Sequence, residues 1–270
     1  MLGAMNPLGF ERVLMTGAAG AIGSTLRAGL SGLYPTLRLT DIRPMTAGPG
    51  EEFMQADLSD LDAARRVMDG VNAVIHLAGI PDEAGFEAIL RHNIVTTYSV
   101  LQAAREAGAR RVVYASSNHA VGFQPLGVNE SVLPRPDSFY GAAKVHSEAL
   151  GSLYFDKFGL EFAALRIGSF LERPTRRRHL ATWLSPRDAV NLTRACLEAP
   201  RVGFSILYGI SGNTRSAFDN RSAFALGYHP QDDAETYAAE IEAQPGNERE
   251  EARDATFVGG PFTDHLERGA

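Results

Sequence analysis

From residue 11 to about residue 210, short apolar runs alternate with stretches whose apolar residues recur at helical spacing. The runs RVLMTG (12–17), LRLTD (37–41), FMQAD (53–57), AVIHLAG (73–79), RVVYASS (111–117), FAALRIG (162–168) and FSILYG (204–209) have the length of strands. The stretches at about 20–32, 60–69, 86–107, 139–158 and 186–199 read as helices. Strands alternating with helices predict βαβ units, hence an α/β fold with a doubly wound, mostly parallel sheet of the Rossmann type. After Gly209 the pattern weakens. SGNTRSAFDNRSAF reads as loop and DDAETYAAEIEA as one more helix, while NEREEARDATFVGGPFTDHLERGA is polar and irregular. That tail is expected either to wrap the surface or to be partly disordered. One globular unit is expected, with residues 11–210 as the sheet domain and 211–270 as a small cap and tail.

Composition narrows the function classes. A net charge of -6 and the absence of a recurring basic stripe argue against a nucleic-acid partner. No apolar run approaches the ~20 residues of a membrane span, so no membrane partner is expected. The residues before Glu11 lack the marks of a secretory signal and read as a loose leader. The single Cys196 excludes an internal disulfide and a cysteine-based metal site, so no metal is expected. It lies in the helical stretch AVNLTRACLEA and reads as a packed core thiol in a cytoplasmic protein.

Candidate chemistry begins directly after the first strand. In TGAAGAIG, Gly17, Gly20 and Gly23 are spaced G-x-x-G-x-x-G. Such glycines allow a tight turn and close approach of backbone N–H groups to a pyrophosphate, and the helix that follows points its positive end at the same anion. Without ligand, the motif is simply a tight strand-to-helix turn. Its context favours the dinucleotide: the loop joins a strand to a helix, and Asp41 ends the next strand 18 residues after Gly23. A carboxylate there accepts hydrogen bonds from ribose hydroxyls and repels a 2′-phosphate, which selects NAD over NADP. Arg43, two residues on, is the group that would favour the phosphate instead. Asp57 falls at the carboxyl end of the third run, where it would meet the adenine amino group. Capping of the next helix is assigned to Ser59. HLAGI (76–80) ends the fourth run in small residues that suit close passage of a cofactor.

Tyr140 and Lys144 lie four residues apart in SFYGAAKVHSE, one helical turn apart on the same face. A phenol titrates near ~10. A neighbouring ammonium favours the phenolate and makes the pair a candidate general base.

Taken together, TGAAGAIG, Asp41, ADL, HLAG, HNIVTTYSVLQAA, VVYASS, YGAAK and LRIGS resemble the short-chain dehydrogenase/reductase superfamily, specifically its extended, nucleotide-sugar-epimerase-like branch, over about residues 12–200. YASSNHAVGF, RPDSFYGAAK, YFDKFG and the RIGS…RRRHLATWLSPRD region are similar, within that branch, to NAD enzymes that oxidise hexuronic acids such as galacturonate and glucuronate. The resemblance implies that Tyr140 is the base, that Lys144 holds the nicotinamide ribose, and that Ser117 binds the reacting hydroxyl while Ser116 is structural. It implies a cofactor envelope of Gly17, Ala19, Gly20, Ala21, Ile22, Asp41, Asp57, Leu58, Leu77, Ala78, Gly79, Tyr140, Lys144 and Ile167. Asn118 and His119 would face the sugar, and Arg178 would hold its carboxylate, with Arg176 and Arg177 on the outside. Asn93 either braces the site from the long helix or bonds backbone. Pro81 stands where a serine often contacts the sugar. The implied reaction is C1 oxidation of a hexuronate to the aldarolactone, by an enzyme that is a candidate homo-oligomer. Two rival classes are a UDP-sugar epimerase or dehydratase, which needs a larger C-terminal region, and a non-catalytic NAD-binding regulator, which needs neither Tyr140 nor Lys144.

Overall fold

The computed structural model describes residues 7–216 and 218–264. Its centre is a sheet of seven parallel strands: β1 (Arg12–Thr16), β2 (Thr36–Asp41), β3 (Glu51–Gln55), β4 (Ala73–His76), β5 (Arg111–Ser117), β6 (Glu161–Ile167) and, last in the chain, β9 (Phe204–Gly209). Ser169–Phe170 (β7) and Trp183–Leu184 (β8) form a separate two-stranded pair. The strand order is β3-β2-β1-β4-β5-β6-β9, so the chain winds outward from β1 and then returns to β4 on its other side. That reversal opens a crevice beyond the carboxyl ends of β1 and β4.

The inner strands β1, β4 and β5 are mostly apolar because both sheet faces are buried there, whereas the edge strand β3 (EEFMQ) is only half-buried. Val13 and Met15 enter one core with α1 (Ala21–Leu30) and α7 (Pro186–Glu198), where Cys196 packs. Leu14 enters the other, with α2 (Leu61–Met68), α4 (Thr96–Glu106) and α5 (Phe139–Phe158). Burial pushes the Cys196 thiol up to about 12, so it stays a protonated core group.

Local chemistry sets the helix ends. The Ser138 hydroxyl accepts the Gly141 N–H at 3.0 Å and starts α5, and Gly159, at φ 72°, stops it. The cap of α2 is Asp60, which accepts from Asp62 N, rather than Ser59; the Ser59 N–H and hydroxyl instead donate to Asp57. The long helix expected over 86–107 is broken by a π turn, Leu90–Val95, between α3 (Phe86–Ile89) and α4. β3 starts two residues before the expected run and ends at Gln55, which leaves Asp57 just beyond its carboxyl end.

After β9, α9 (Ala238–Glu242) packs Ala238 and Ile241 with Leu180 of α6 (His179–Thr182), Trp183 and Ala234 in a small third core, whereas Ala223 of α8 (Arg221–Ala225) joins the core of Val13 and Met15. The described part of the tail wraps the surface in ordered form, its helix burying no residue. It forms α10 (Glu248–Asp254) and a 3-10 turn at Gly260–Asp264, with Val258 fully buried and Gly259 N–H donating to Gly122 O at 2.8 Å. The leader is likewise tied down where it is described: Phe10 is a core residue beneath the Arg110 guanidinium. Residues 1–6 of the leader and 265–270 of the tail lie outside the described residues. Among the described residues no helix is long and apolar enough to cross a membrane, and no group of three potential metal ligands occurs.

Candidate active site

A cleft of about 740 Å³ runs along the carboxyl edge of the sheet, from the glycine loop to α5. At one end Gly17 sits at φ 65°, and a Cβ there would lie 2.8 Å from Ala78 N. A Cβ on Gly23 would lie 2.5 Å from Gly17 O, so no larger residue lets α1 start this close to the loop. Gly20 caps α1 without any side-chain hydrogen bond, which leaves the first-turn N–H groups available to an anion. These features fit the pyrophosphate of NAD.

The Asp41 carboxylate accepts from Ala19 N at 2.9 Å and from Arg43 N at 3.0 Å. Asp41 is buried at the cleft wall, whereas the Arg43 side chain is 61% exposed and reaches back to Asp41 only weakly. Asp57 accepts from Ser59 and from Arg91 at 3.1 Å; burial pushes its carboxyl up, but these hydrogen bonds outweigh it and hold the group below its ordinary range. Of the residues expected to envelop the cofactor, all but Ala19 line the cleft, and Ala19 instead anchors Asp41 through its N–H.

The loop after β4 is pinned from beneath. Leu77 and Ala78 N–H both donate to Thr16 Oγ1 at 3.1 Å, and Thr16 bonds the buried His76 at 2.8 Å. Burial and the Lys144 charge push the His76 imidazole down to about 3, so it is neutral. Asn93 does both things considered for it. It bonds backbone, but the backbone is Ile80, through N–H (2.9 Å) and carbonyl (3.0 Å), so it braces the cleft wall. Its place in the π turn is what lets a mid-helix amide reach sideways.

At the other end of the cleft, Ser117 ends β5, and its Oγ accepts His119 N–H at 3.2 Å. Ser116 points the opposite way and donates to Glu148, which is paired with Arg166 in the core. Tyr140 and Lys144 lie one turn apart on α5, with Lys144 Nζ 5.2 Å from the Tyr140 ring centre and 2.6 Å from Ala115 O. Burial lowers the Lys144 pKa, while the Tyr140 and Glu148 charges act in the opposite direction. Glu83, from the loop after β4, accepts the Phe139 and Tyr140 N–H groups at 3.0 and 2.8 Å and completes the start of α5. Pro81 lines the cleft in the same loop.

A second cavity of about 510 Å³ shares His119 and Gly168 with the cleft. Asn118, Ser169, Arg178, Asp254 and Phe262 are among its walls. Arg178 is only 12% exposed, its Nη1 3.3 Å from Asp254 and its Nη2 donating to the Val258 carbonyl. Burial lowers its pKa against the opposing pull of Asp254 and Asp137. Arg176 and Arg177 are more exposed, but they pair with Glu250 and Glu251, so all three consecutive arginines anchor α10. The walls contributed by the tail carry no motif in the sequence, whereas Ser169, whose hydroxyl lies 2.9 Å from Thr182 Oγ1, stands in LRIGS.

The model of the NAD dependent epimerase/dehydratase family matches residues 13–189. The chain is 43% identical over 262 residues to a uronate dehydrogenase of Pseudomonas putida, covering 96% of this chain and 97% of that one. Among solved structures it superposes with TM-score 0.90 on a mutant uronate dehydrogenase from Agrobacterium tumefaciens complexed with NAD, at 40% identity, over 95% of this chain and 98% of that one. A glucuronic acid dehydrogenase from Chromohalobacter salexigens matches with TM-score 0.90 and 38% identity, over 95% and 98% of the two chains.

Proposed function

The chain belongs to the NAD dependent epimerase/dehydratase family and to the uronate dehydrogenases within it, and we propose that its cleft oxidises a hexuronic acid, galacturonate or glucuronate, at C1. One observation carries this reading: the cleft lined by the glycine loop, Asp41, Ser117, Tyr140 and Lys144 adjoins the Arg178 cavity, the two sharing His119 and Gly168. A dinucleotide in the cleft and a small acidic sugar beside Arg178 meet at Tyr140.

Ser117 and Tyr140 hold the anomeric hydroxyl of the cyclic sugar. Tyr140 Oη takes the hydroxyl proton, with Lys144 Nζ one turn away and 5.2 Å from the Tyr140 ring centre. General base catalysis of this kind contributes roughly 10²–10⁴-fold. NAD, when bound along Gly17–Gly23, Asp41, Asp57 and Leu77–Gly79, supplies the acceptor for the C1 hydride. Loss of one proton and one hydride from a ring hemiacetal leaves a lactone, here the aldarolactone. Arg178 grips the sugar's carboxylate with guanidinium N–H groups beyond those that meet Asp254 and Val258, since a planar guanidinium carries five donors where a lysine offers a point charge. Asn118 and His119 contact the ring.

The reading extends to a cytoplasmic setting, consistent with a buried reduced thiol. It extends also to a homo-oligomer, supported by exposed Tyr98, Leu153 and Phe158 on α4 and α5, and light scattering after size exclusion tests that part. The function itself is tested by NADH formation from galacturonate, glucuronate, galactose and UDP-glucose. The two uronates are expected to react and the other two to be poor. A preference for UDP-glucose would move the protein to the nucleotide-sugar branch of its family.

A further inference from the structure

Between the cleft and the Arg178 cavity stands one side chain, His119, which lines both. Its imidazole is packed on two sides. The Phe262 ring lies 4.0 Å away, centre to centre, and the Tyr140 ring presents an edge at 6.0 Å. Its backbone is equally constrained: the N–H bonds Ser117 Oγ, and a Cβ at Gly141 would lie 2.4 Å from the His119 carbonyl. Glycine directly after Tyr140 is therefore what allows the His119 turn to press against the start of α5.

Behind the ring lies Asp137, with no side-chain exposure, 2.8 Å from His119 Nδ1. Its second oxygen accepts from the Ser138 hydroxyl at 2.9 Å, the same hydroxyl that caps α5. Two glycines leave it room. A Cβ on Gly122 or on Gly259 would come within 1.9 and 1.8 Å of its Oδ2. A buried carboxylate is retained only where hydrogen-bond donors meet it, and here those donors come from the substrate-facing histidine and the cap of the catalytic helix.

We infer that Asp137 is a positioning residue for the reaction: by accepting Nδ1–H it holds the His119 ring so that Nε2 alone faces the sugar, in register with Ser117 and Tyr140. A carboxylate accepts only, so Nδ1 must be the protonated nitrogen, and the ring cannot turn over without breaking the bond. This is the arrangement by which a carboxylate orients an imidazole that works on a third group. Because Asp137 also bonds the helix cap, any movement of α5 carries His119 with it.

The inference rests on the uronate reading, and the experiment separates the two. Asp137→Asn, His119→Ala and the double variant are compared with native protein for kcat and KM on galacturonate and for NAD affinity. Asp137→Asn is expected to lower kcat/KM about 10–100-fold, as losses of ligand-orienting carboxylates do, with NAD affinity unchanged. If Asp137 acts through His119, the double variant is no worse than the worse single one. A double variant whose loss is the product of the two single losses overturns the inference. A native protein inactive on uronates instead overturns the reading beneath it. Should Asp137→Asn fail to fold, ¹⁵N spectra of native protein, with the His119 signal assigned from His119→Gln, read the tautomer directly. A protonated Nδ1 is expected; an Nε2–H tautomer with bare Nδ1 rejects the assignment.

Discussion

Asp41 shows how one side chain sets a cofactor preference. Its carboxylate is fixed by two backbone N–H groups at the cleft wall, whereas Arg43 turns its charge towards solvent. A 2′-phosphate arriving there meets the buried anion before the exposed cation. Asp41→Ala is expected to weaken NAD and to improve NADP, measured as the ratio of kcat/KM for the two cofactors; a native protein that uses both equally would make Arg43 the dominant group. Tyr140→Phe removes only the proton acceptor from a buried, well-packed position. It should fold and bind NAD, yet lose about 10²-fold or more in kcat. Turnover close to native would remove Tyr140 as the base. On the proposed function, Arg178 is the buried positive group that meets an acidic sugar in a chain of net charge -6. Charged hydrogen bonds contribute ~1.5–3 kcal/mol, so Arg178→Ala should cost roughly 10–100-fold in kcat/KM on galacturonate and far less on galactose, which lacks the carboxylate. Equal losses on both sugars would assign Arg178 to holding the tail alone.

Among the elements, α5 and α10 present opposite cases. α5 was legible residue by residue: a serine cap, helical spacing and a terminal glycine mark its ends at Phe139 and Phe158. The inner strands were legible from their apolar runs, set by burial on both faces, whereas the half-buried edge strand β3 starts two residues before its apolar pair Phe53 and Met54. The π turn was not, because Leu90–Val95 has the spacing of an ordinary helix, and the bonds from Asn93 to Ile80 that accompany it join residues 13 apart. α10 was not legible either. Its acids pair with arginines more than 70 residues away, and such long-range pairs leave no local periodicity. For the same reason the substrate end of the site was only half visible: the motifs marked Asn118, His119 and Arg178, whereas Asp254, Val258 and Phe262 come from a tail that reads as polar loop. The pairing makes a prediction at this scale. Glu250→Lys with Glu251→Lys sets like charges against Arg176 and Arg177 and should loosen α10. Exposed pairs contribute only 0.2–1 kcal/mol each, so a several-fold rise in KM for uronates is expected, with NAD affinity unchanged. An unchanged KM would mean that Asp254 and Val258 hold the tail without help.

Across the whole molecule, the site and the fold share one buried polar chain through the middle of the sheet. Thr16 on β1 holds both the loop that lines the cofactor cleft and His76 on β4, and His76 reaches Thr97 on α4 at 3.3 Å. Its ring packs on Tyr114, over which the Lys144 ammonium also lies. An imidazole in this place must stay neutral, and its pKa is depressed to about 3 by burial first and by Lys144 second. In the unfolded chain the same group titrates near ~6.5. The unfolded state therefore takes up the proton first as the pH falls. The stability due to neutral His76 is complete above about 6.5 and is lost progressively between there and about 3, at up to ~1.4 kcal/mol per pH unit. By pH 5 the loss is roughly 2 kcal/mol, a large share of an ordinary domain's 5–15 kcal/mol. His179, lowered to about 4 by burial and by Arg178 and Arg176, adds in the same direction. His76→Gln isolates the first contribution. The variant should be less stable than native protein at pH 8, through its imperfect replacement of the bond to Thr16. The difference between the two should then shrink by about 1.4 kcal/mol for each pH unit below 6.5, read from urea unfolding at pH 8, 6 and 5. A gap that stays constant over that range would mean that His76 protonates as easily inside the sheet as outside it, and that the cofactor loop rests on something other than a neutral histidine.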